Sequence, residues 1–351
     1  MGNEYKRNPF LDQGIVNYHQ YKNYPFLVFG TLEILKNRIK QQLAQIQYGD
    51  FYGERLVIIG ERGIGKTSAL FFIKDMLAEA GVRVELFSRI FEDKTHLSTL
   101  LSQKKSGPGE LVDDPRNNES FSQLTKEPIY FLIDFPDTVE TRQYKKFLQF
   151  LWDIMTDTNY NKVNLIFAMN KSHYEKSFSY SEILGKFVMQ KLDKFDEELT
   201  KQLVASRLKT VEQEIGDIFA NEVISTLFRF SKGIPRNIIS ACGLLYNCSN
   251  GEPISNELTE KILKDKYFDK ILEDNVQDLE LKNIYKKMID ILKIEFQGTA
   301  NSQEEFVEKI TKATSIGKNS AMSRINELSR LGIFKLYKGG YNRLNKIISF
   351  N

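Results

Sequence analysis

No stretch of this 351-residue chain constrains its fold more than Gly60-Glu61-Arg62-Gly63-Ile64-Gly65-Lys66-Thr67. It satisfies the phosphate-loop pattern G-x-x-x-x-G-K-[ST], with Gly60, Gly65, Lys66 and Thr67 at the fixed positions. The preceding Arg55-Leu56-Val57-Ile58-Ile59 reads as a short buried strand, and Ser68 to Leu77 reads as a helix with an apolar face. Glycines at both ends let the backbone curl so that several N–H groups point inward at an anion. The N-terminus of the following helix adds its positive dipole end at the same spot. The Lys66 ammonium then reaches the β- and γ-phosphates of a nucleotide, and the Thr67 hydroxyl ligates Mg²⁺. Glu61, Arg62, Gly63, Ile64 and Ser68 complete the lining of the loop. A plain strand-to-helix turn also uses glycine, but it has no need of Lys-Thr at the helix start. The pattern predicts a site for ATP or ADP with Mg²⁺.

Two further apolar runs end in polar residues, as strands aimed at such a site should. Ile129-Tyr130-Phe131-Leu132-Ile133 ends at Asp134, an acid placed to hold Mg²⁺. Val163 to Met169 ends at Asn170, whose amide can bond a γ-phosphate or orient water; an asparagine that merely opens a loop is the plainer alternative. Phe135 follows Asp134 directly, and Asp137 is the nearest carboxylate that a shifted loop would bring to an attacking water. Asp137 suits equally a cap for the helix expected from about Thr138 to Asp157. Ser231-Lys232-Gly233-Ile234-Pro235-Arg236 opens a later helix and puts Arg236 in its first turn. The helix dipole disfavours a cation there, so a ligand-facing role is expected.

The spacing of elements organises the chain. A helix over Leu32 to Tyr48 carries Leu32, Leu35, Ile39, Leu43 and Ile46 on one stripe, and Val82 to Phe87 is a further strand. Strands alternating with helices predict a parallel sheet covered on both faces. Residues 1–23 read as a polar arm with little core of its own, and 24–195 as the nucleotide-binding domain. Within that domain, about 102–127 form a surface insertion rich in Ser, Gly, Pro, Asn and charge. Residues 196–275 are all-helical, with a capped start at Phe195-Asp196-Glu197-Glu198-Leu199 and helices near 217–231, 235–248 and 255–270. Residues 276–351 form a third module. With 41% apolar and 27% charged residues the composition is that of a soluble globular protein. No apolar run approaches the roughly 18–20 residues of a spanning helix, and Met1 to Lys6 does not begin a signal peptide. Cys242 and Cys248, the only cysteines, are expected as small filler within one helix in a reducing compartment. The expected address is cytoplasmic, without a membrane partner.

Charge is distributed unevenly. Residues 281–351 hold 13 Lys/Arg against 6 Asp/Glu, which leaves 36 against 40 over residues 1–280. A basic C-terminal module on a mildly acidic body points to a polyanion at that end. Its local grammar is helix near 279–295, helix from Ser302, turn at Ser315-Ile316-Gly317, and helix from Asn319 to Leu331 with Ala321, Ile325 and Leu328 inward. A hairpin follows, of Ile333 to Tyr337, the turn Lys338-Gly339-Gly340, and Tyr341 to Leu344. That order is a winged helix-turn-helix. Lys318, Asn319, Ser320, Ser323 and Arg324 fall where a recognition helix meets the major groove. Lys335, Lys338, Tyr341 and Arg343 on the wing would touch phosphates or the minor groove. Such modules also dock proteins, and lysine-rich faces are often simply solvated. Few of these residues can read bases, so phosphate contacts would dominate.

The phosphate loop at 60–67, the acid-tipped strand ending at Asp134, Asn170, and Gly233-Ile234-Pro235-Arg236 resemble, in this order, the AAA+ superfamily of ATPases. With a C-terminal winged helix, the chain resembles origin-recognition and replication-initiator AAA+ ATPases and related archaeal and mobile-element ATPases. The resemblance spans about residues 24–351. It implies an α/β parallel-sheet P-loop core, an all-helical lid and a winged helix. It gives Asn170 and Arg236 the first and second sensor roles, and it sets Tyr24, Pro25 and Val28 against adenine. Two positions and one window depart from the pattern. Thr31 stands where the family's usual Gly-Arg has Arg, and Phe135 replaces the water-polarising glutamate. No arginine lies between Arg142 and Arg207, the window of a trans-acting finger, which leaves Lys171, Lys176 or Lys186. A lysine matches spread phosphoryl charge less well, and an arginine finger is worth roughly 10³–10⁵ in rate.

The expectation is therefore a weak or partner-dependent ATPase that binds double-stranded DNA, with ATP as a conformational or assembly switch. Replication initiation, mobile-element maintenance and defence all suit it, as do a homo-oligomer or a partner ATPase or effector. The alternatives are a signalling-type ATPase whose winged helix docks a protein or its own nucleotide domain, and a nucleotide-binding scaffold that does not hydrolyse.

Overall fold

The computed structural model describes residues 8–10, 30–48, 53–88, 127–135, 141–157, 160–178, 182–249, 252–276, 278–331, 333–338 and 346–350. The chain forms two compact units, one of residues 26–193 and one of residues 1–25 with 194–351.

In the first unit, five apolar runs become strands: β1 (Arg55–Gly60), β2 (Arg83–Phe87), β3 (Ile129–Asp134), β4 (Val163–Asn170) and β5 (Val188–Lys191). Their order in the sheet is β2-β3-β4-β1-β5, and every pairing is parallel. Because side chains alternate along a strand, near-continuous apolar runs fill two layers at once. On one face Val57, Ile59, Phe131, Ile133, Leu165 and Phe167 pack against Phe147, Leu151 and Ile154 of α3 (Thr141–Thr156). On the other, Leu56, Ile58, Tyr130, Leu132 and Ile166 meet Leu35 and Ile39 of α1 (Thr31–Tyr48) and Leu70, Ile73 and Leu77 of α2 (Lys66–Glu79). Full burial of each such side chain stabilises by about 1.5–3 kcal/mol. The expected sheet, covered on both faces, is what forms. A short α4 (Lys171–Phe178) follows β4. The insertion expected at 102–127 lies, apart from Glu127, outside the described residues.

One polar residue inside an apolar strand has a structural reason. Asn164 is fully buried; its side-chain oxygen accepts from the Glu54 N–H at 2.7 Å, and its Nδ2 donates to the Ile129 carbonyl at 3.1 Å. It thereby ties together the starts of β1, β3 and β4. Beside it, the buried Glu54 carboxylate is paired with Arg38 of α1, Nη2 to Oε1 2.8 Å.

The second unit begins with α5 (Glu197–Lys209), whose N-cap Asp196 accepts from the Leu199 N–H, as the capped-start sequence predicts. The helix expected near 217–231 is in fact two, α6 (Ile215–Ile218) and α7 (Val223–Ser231), because the segment at Phe219 is extended and forms a bridge with Ile254. Then come α8 (Pro235–Tyr246) and α9 (Asn256–Asn275). Cys242 is buried within α8, but the helix ends at Tyr246, so Cys248 lies beyond it rather than in the same helix. Residues 8–10 of the expected polar arm are buried here: Asn8 Nδ2 donates to Gly243 O at 3.1 Å and to Asn247 Oδ1 at 2.7 Å. Phe10, 2% exposed, meets the Tyr246 ring edge-on.

The C-terminal part comprises α10 (Leu279–Ile294), β6 (Thr299–Ala300), α11 (Gln303–Thr314), α12 (Lys318–Arg330), β7 (Phe334–Lys338) and β8 (Lys346–Phe350). The strands form an antiparallel sheet in the order β6-β8-β7. The return strand differs from the tight hairpin read from the sequence. The strand that pairs with β7 is 346–350, and Lys338, expected in the turn, ends β7 opposite Lys346; residues 341–344 lie outside the described residues. The β-branched pair in Lys346-Ile347-Ile348-Ser349-Phe350 fits a pleated strand better than Tyr341-Asn342-Arg343-Leu344 does. Among the described residues no helix is long and apolar enough to cross a membrane.

Candidate functional site

The carboxyl ends of parallel strands are where ligands meet open α/β sheets, and the polar residues singled out in the first unit converge there. Gly60 ends β1 in register with Asn170 at the end of β4, and Asp134 ends β3 in register with Ala168. Between β1 and α2 the loop turns through left-handed backbone at Gly63 (φ 81°) and Gly65 (φ 102°), conformations that residues with a Cβ avoid. Gly60 is required for a different reason, since a Cβ there would lie 2.7 Å from Ile64 Cγ2. Ile64 is buried and anchors the loop from below, while Glu61 and Arg62 are exposed on it.

Lys66 opens α2, and its ammonium folds back across the loop. It donates to the carbonyls of Gly60 at 3.2 Å and Glu61 at 2.8 Å, and to Asn170 Oδ1 at 3.0 Å. One residue on, Thr67 Oγ1 donates to Asp134 Oδ2 at 2.7 Å. Ser68 continues the first turn of the helix, and the Ala69 N–H bonds the Gly65 carbonyl at 2.9 Å. The left-handed glycine turn, a primary ammonium and the Thr67–Asp134 pair lie together, the last supplying two hard oxygen donors. Those donors suit Mg²⁺, which binds through one or two protein oxygens and completes its shell with water and phosphate. Among the described residues no group of three or more His, Cys, Asp or Glu side chains forms an all-protein metal cage.

Phe135 extends β3 by one bond, its N–H donating to Ala168 O at 2.9 Å. Its ring is 7% exposed and packs on Phe147, centroids 5.5 Å apart, and on Tyr144 at 5.8 Å. The position where the resemblance leads one to expect a glutamate is therefore part of the apolar layer under α3. Asp137, Tyr24, Pro25 and Val28 lie outside the described residues. Of the lysines considered as finger substitutes, Lys171 pairs with Glu175 at 3.6 Å, and Lys186 sits over the Trp152 ring, 4.4 Å from its centroid. The Lys176 side chain lies outside the described residues.

Arg236 belongs to the second unit, in the first turn of α8 after Pro235. The turn before it is held to the chain entering the unit. The Phe195 N–H donates to Gly233 O at 2.8 Å, and Gly233 has φ +67°, with space for a Cβ only 2.0 Å from Phe195 O. This clamp, like the burial of Asn8 and Phe10, escaped the sequence reading; the glycine of Gly-Ile-Pro-Arg was its only local signal.

On α12, Lys318, Asn319, Ser320 and Ser323 are exposed, and Lys335 on β7 is exposed as well. Arg324 is half-buried and pairs with Glu327, Nη1 to Oε2 3.1 Å. The side chain of Lys338, and Tyr341 and Arg343 entirely, lie outside the described residues.

The first unit thus defines a class: an α/β P-loop fold with a glycine cradle at the carboxyl edge of a five-stranded parallel sheet. Several solved structures share the overall fold. The chain is similar to a Thermotoga maritima RuvB P216G mutant, at 12% identity and TM-score 0.53, over 93% of this chain and 96% of that one. It is similar to the Aeropyrum pernix ORC2 protein, solved as ADPNP–ADP complexes, at 12% identity and TM-score 0.53, over 99% of this chain and 93% of that one. The Aeropyrum pernix ORC1 protein in complex with DNA matches at 16% identity and TM-score 0.53, over 99% and 93%. These likenesses are of fold. No protein-family model matches the sequence, and no curated protein matches it.

Proposed function

We propose that this chain is a nucleotide-switched ATPase that binds double-stranded DNA. The observation that carries the reading is a pair of hydrogen bonds at the carboxyl edge of the sheet, Lys66 to Asn170 and Thr67 to Asp134, made by successive residues at the start of α2. In this proposal Lys66 and the loop N–H groups hold the phosphates of ATP or ADP. Thr67 and Asp134 hold Mg²⁺, which neutralises phosphate charge when bound. Asn170, which accepts from Lys66, acts in this proposal on a γ-phosphate or its attacking water, and Arg236 acts as the second sensor. With Phe135 in the core and an arginine-free window from 143 to 206, turnover is slow or depends on a partner.

Residues 196–275 act as the lid and 276–351 as the winged helix. Lys318, Asn319, Ser320 and Ser323 on α12, with Lys335, Lys338 and Arg343 on the wing, meet the duplex, phosphate contacts supplying most of the affinity. The test is fluorescence anisotropy of a labelled duplex with and without ATP–Mg²⁺ across a salt series, alongside a fluorescent-nucleotide titration. Lys66→Ala should lose nucleotide affinity by about a hundredfold or more and lose the nucleotide dependence of DNA binding. Absence of nucleotide binding in the unaltered chain would end the reading at its root.

A second reading, in which the C-terminal module docks a protein, has one observation in its favour. Glu304, Glu305 and Glu308 are exposed on α11, and an acidic face repels a polyanion. Nucleotide binding without any duplex binding at low salt would select it.

A further inference from the structure

Asn8, Pro9 and Phe10 are buried side by side although they belong to no helix or strand. Asn8 Oδ1 accepts from the Phe10 N–H at 2.9 Å, a turn that a short amide side chain closes on its own backbone. Its Nδ2 is then left to donate twice, to the Gly243 carbonyl at 3.1 Å and to Asn247 Oδ1 at 2.7 Å. An aspartate has no donors to offer there, and an alanine has neither donor nor acceptor. Pro9, between the two, fixes its own φ and so lowers the entropy lost when the turn is ordered.

The receiving surface is built by other parts of the chain. Gly243, Tyr246 and Asn247 are spaced three and four apart and share one face at the end of α8. Tyr246 meets Phe10 edge-on, centroids 6.0 Å apart, and its hydroxyl donates to Gln213 Oε1 at 2.8 Å, which holds the ring independently of the segment. At Gly243 a Cβ would come within 3.3 Å of both Phe10 Cβ and Phe10 O. Glycine is a poor helix residue, and its bareness here lets a second backbone approach closely.

We propose that this face of α8 is a peptide-binding site that reads Asn-Pro-Phe, with residues 8–10 as its exchangeable internal ligand. The segment is recognised as a bound peptide is, through one amide and one ring, without strand pairing. Asn8 and Gly243 stand 235 positions apart, so the contact itself does not require one chain. Covalent attachment serves to raise the local concentration of the ligand. A peptide presenting Asn-Pro-Phe therefore has the chemistry to take its place. The inference rests on neither nucleotide nor duplex binding.

The test uses the full chain and a fluorescein-labelled, N-acetylated peptide of residues 8–13, read by anisotropy. In the Asn8→Ala/Phe10→Ala chain the internal ligand is disabled, and the peptide should bind saturably at about 10–100 μM. Asn8→Ala in the peptide should weaken binding about tenfold and Phe10→Ala about a hundredfold. Gly243→Ala added to the receiving chain should weaken it about tenfold, while the helix, rid of a glycine, melts no earlier. The unaltered chain, filled by its own segment, should bind about tenfold more weakly than the double variant. A second readout needs no variant. Because Asn8 is buried, peptide at about 1 mM should displace it and speed tryptic cleavage after Arg7 about fivefold or more. A folded double variant that takes up no peptide, or takes up the alanine-substituted peptides equally well, would overturn the proposal and make residues 8–10 a fixed part of the core. Unchanged cleavage after Arg7 would overturn it from the unaltered chain alone.

Discussion

Thr67 Oγ1 donates to Asp134 Oδ2 at 2.7 Å, joining the first turn of α2 to the end of β3, residues 67 apart in sequence. Each oxygen is a hard donor, and together they fit one face of a Mg²⁺ shell. Thr67→Ala and Asp134→Asn should each lower affinity for ATP–Mg²⁺ by about tenfold or more, toward the value measured in EDTA. A fluorescent-nucleotide titration with and without Mg²⁺ reads this directly. An undiminished response to Mg²⁺ in either variant would move the cation elsewhere.

Phe135 is packed between Phe147 and Tyr144, so a carboxylate placed there would enter the apolar layer instead of the site. Phe135→Glu should therefore cost about 3 kcal/mol of stability and bring no increase in ATP turnover. Denaturant unfolding with a steady-state phosphate assay checks both parts. A stable variant with faster turnover would show that this position can reach the nucleotide after all.

At Gly233 both the backbone and the neighbours exclude a side chain, with φ +67° and Phe195 O only 2.0 Å from a Cβ. Gly233→Ala should destabilise the helical unit by about 3 kcal/mol. Amide exchange should rise across 195–200 and 231–240 and leave 55–60 and 163–170 unaffected. Uniform exchange in variant and parent alike would mean that the clamp yields cheaply.

Phe10 is buried against Tyr246 and packs close to Gly243, where a Cβ would come within 3.3 Å of it. Phe10→Ala should cost about 3 kcal/mol and Asn8→Ala about 1–2 kcal/mol of the stability of α8 and its neighbours. Limited proteolysis after Tyr246 is the readout, and removal of residues 1–10 should match the combined effect. Unchanged cleavage kinetics in all three would make the segment a dispensable tail.

Alkylation separates the two cysteines. Burial holds the Cys242 thiol well above its usual range and shields it from reagent. Iodoacetamide should label Cys248 alone in the folded chain, by mass spectrometry of tryptic peptides; equal labelling of both would mean that α8 opens readily.

What could be read from the sequence alone was what local pattern encodes. The strand–loop–helix around Gly60 to Thr67, the acid at the tip of β3 and the asparagine at the tip of β4 each rest on residue type and spacing within a few positions. The sheet covered on both faces followed from the apolar runs. The start of α5 followed from its cap, and α12 followed to within one residue at each end from its apolar stripe. Where local signals competed, the reading slipped. Glycines after Lys338 suggested a tight turn, but the return strand belongs to Ile347 and Ile348, whose partner is chosen by the whole three-stranded sheet.

Only the tertiary structure decided the rest, because those facts depend on which distant residues become neighbours. Asn164 reads as a flaw in an apolar strand until Glu54 and Ile129 arrive to bond it. Phe135 reads as a missing catalytic group until Phe147 and Tyr144 make it core. Residues 8–10 read as tail until α8 offers them a carbonyl, an amide and a ring. A motif is a property of consecutive residues, which sequence lists, whereas the burial and charge pairing that assign a residue its work arise only when the chain has folded.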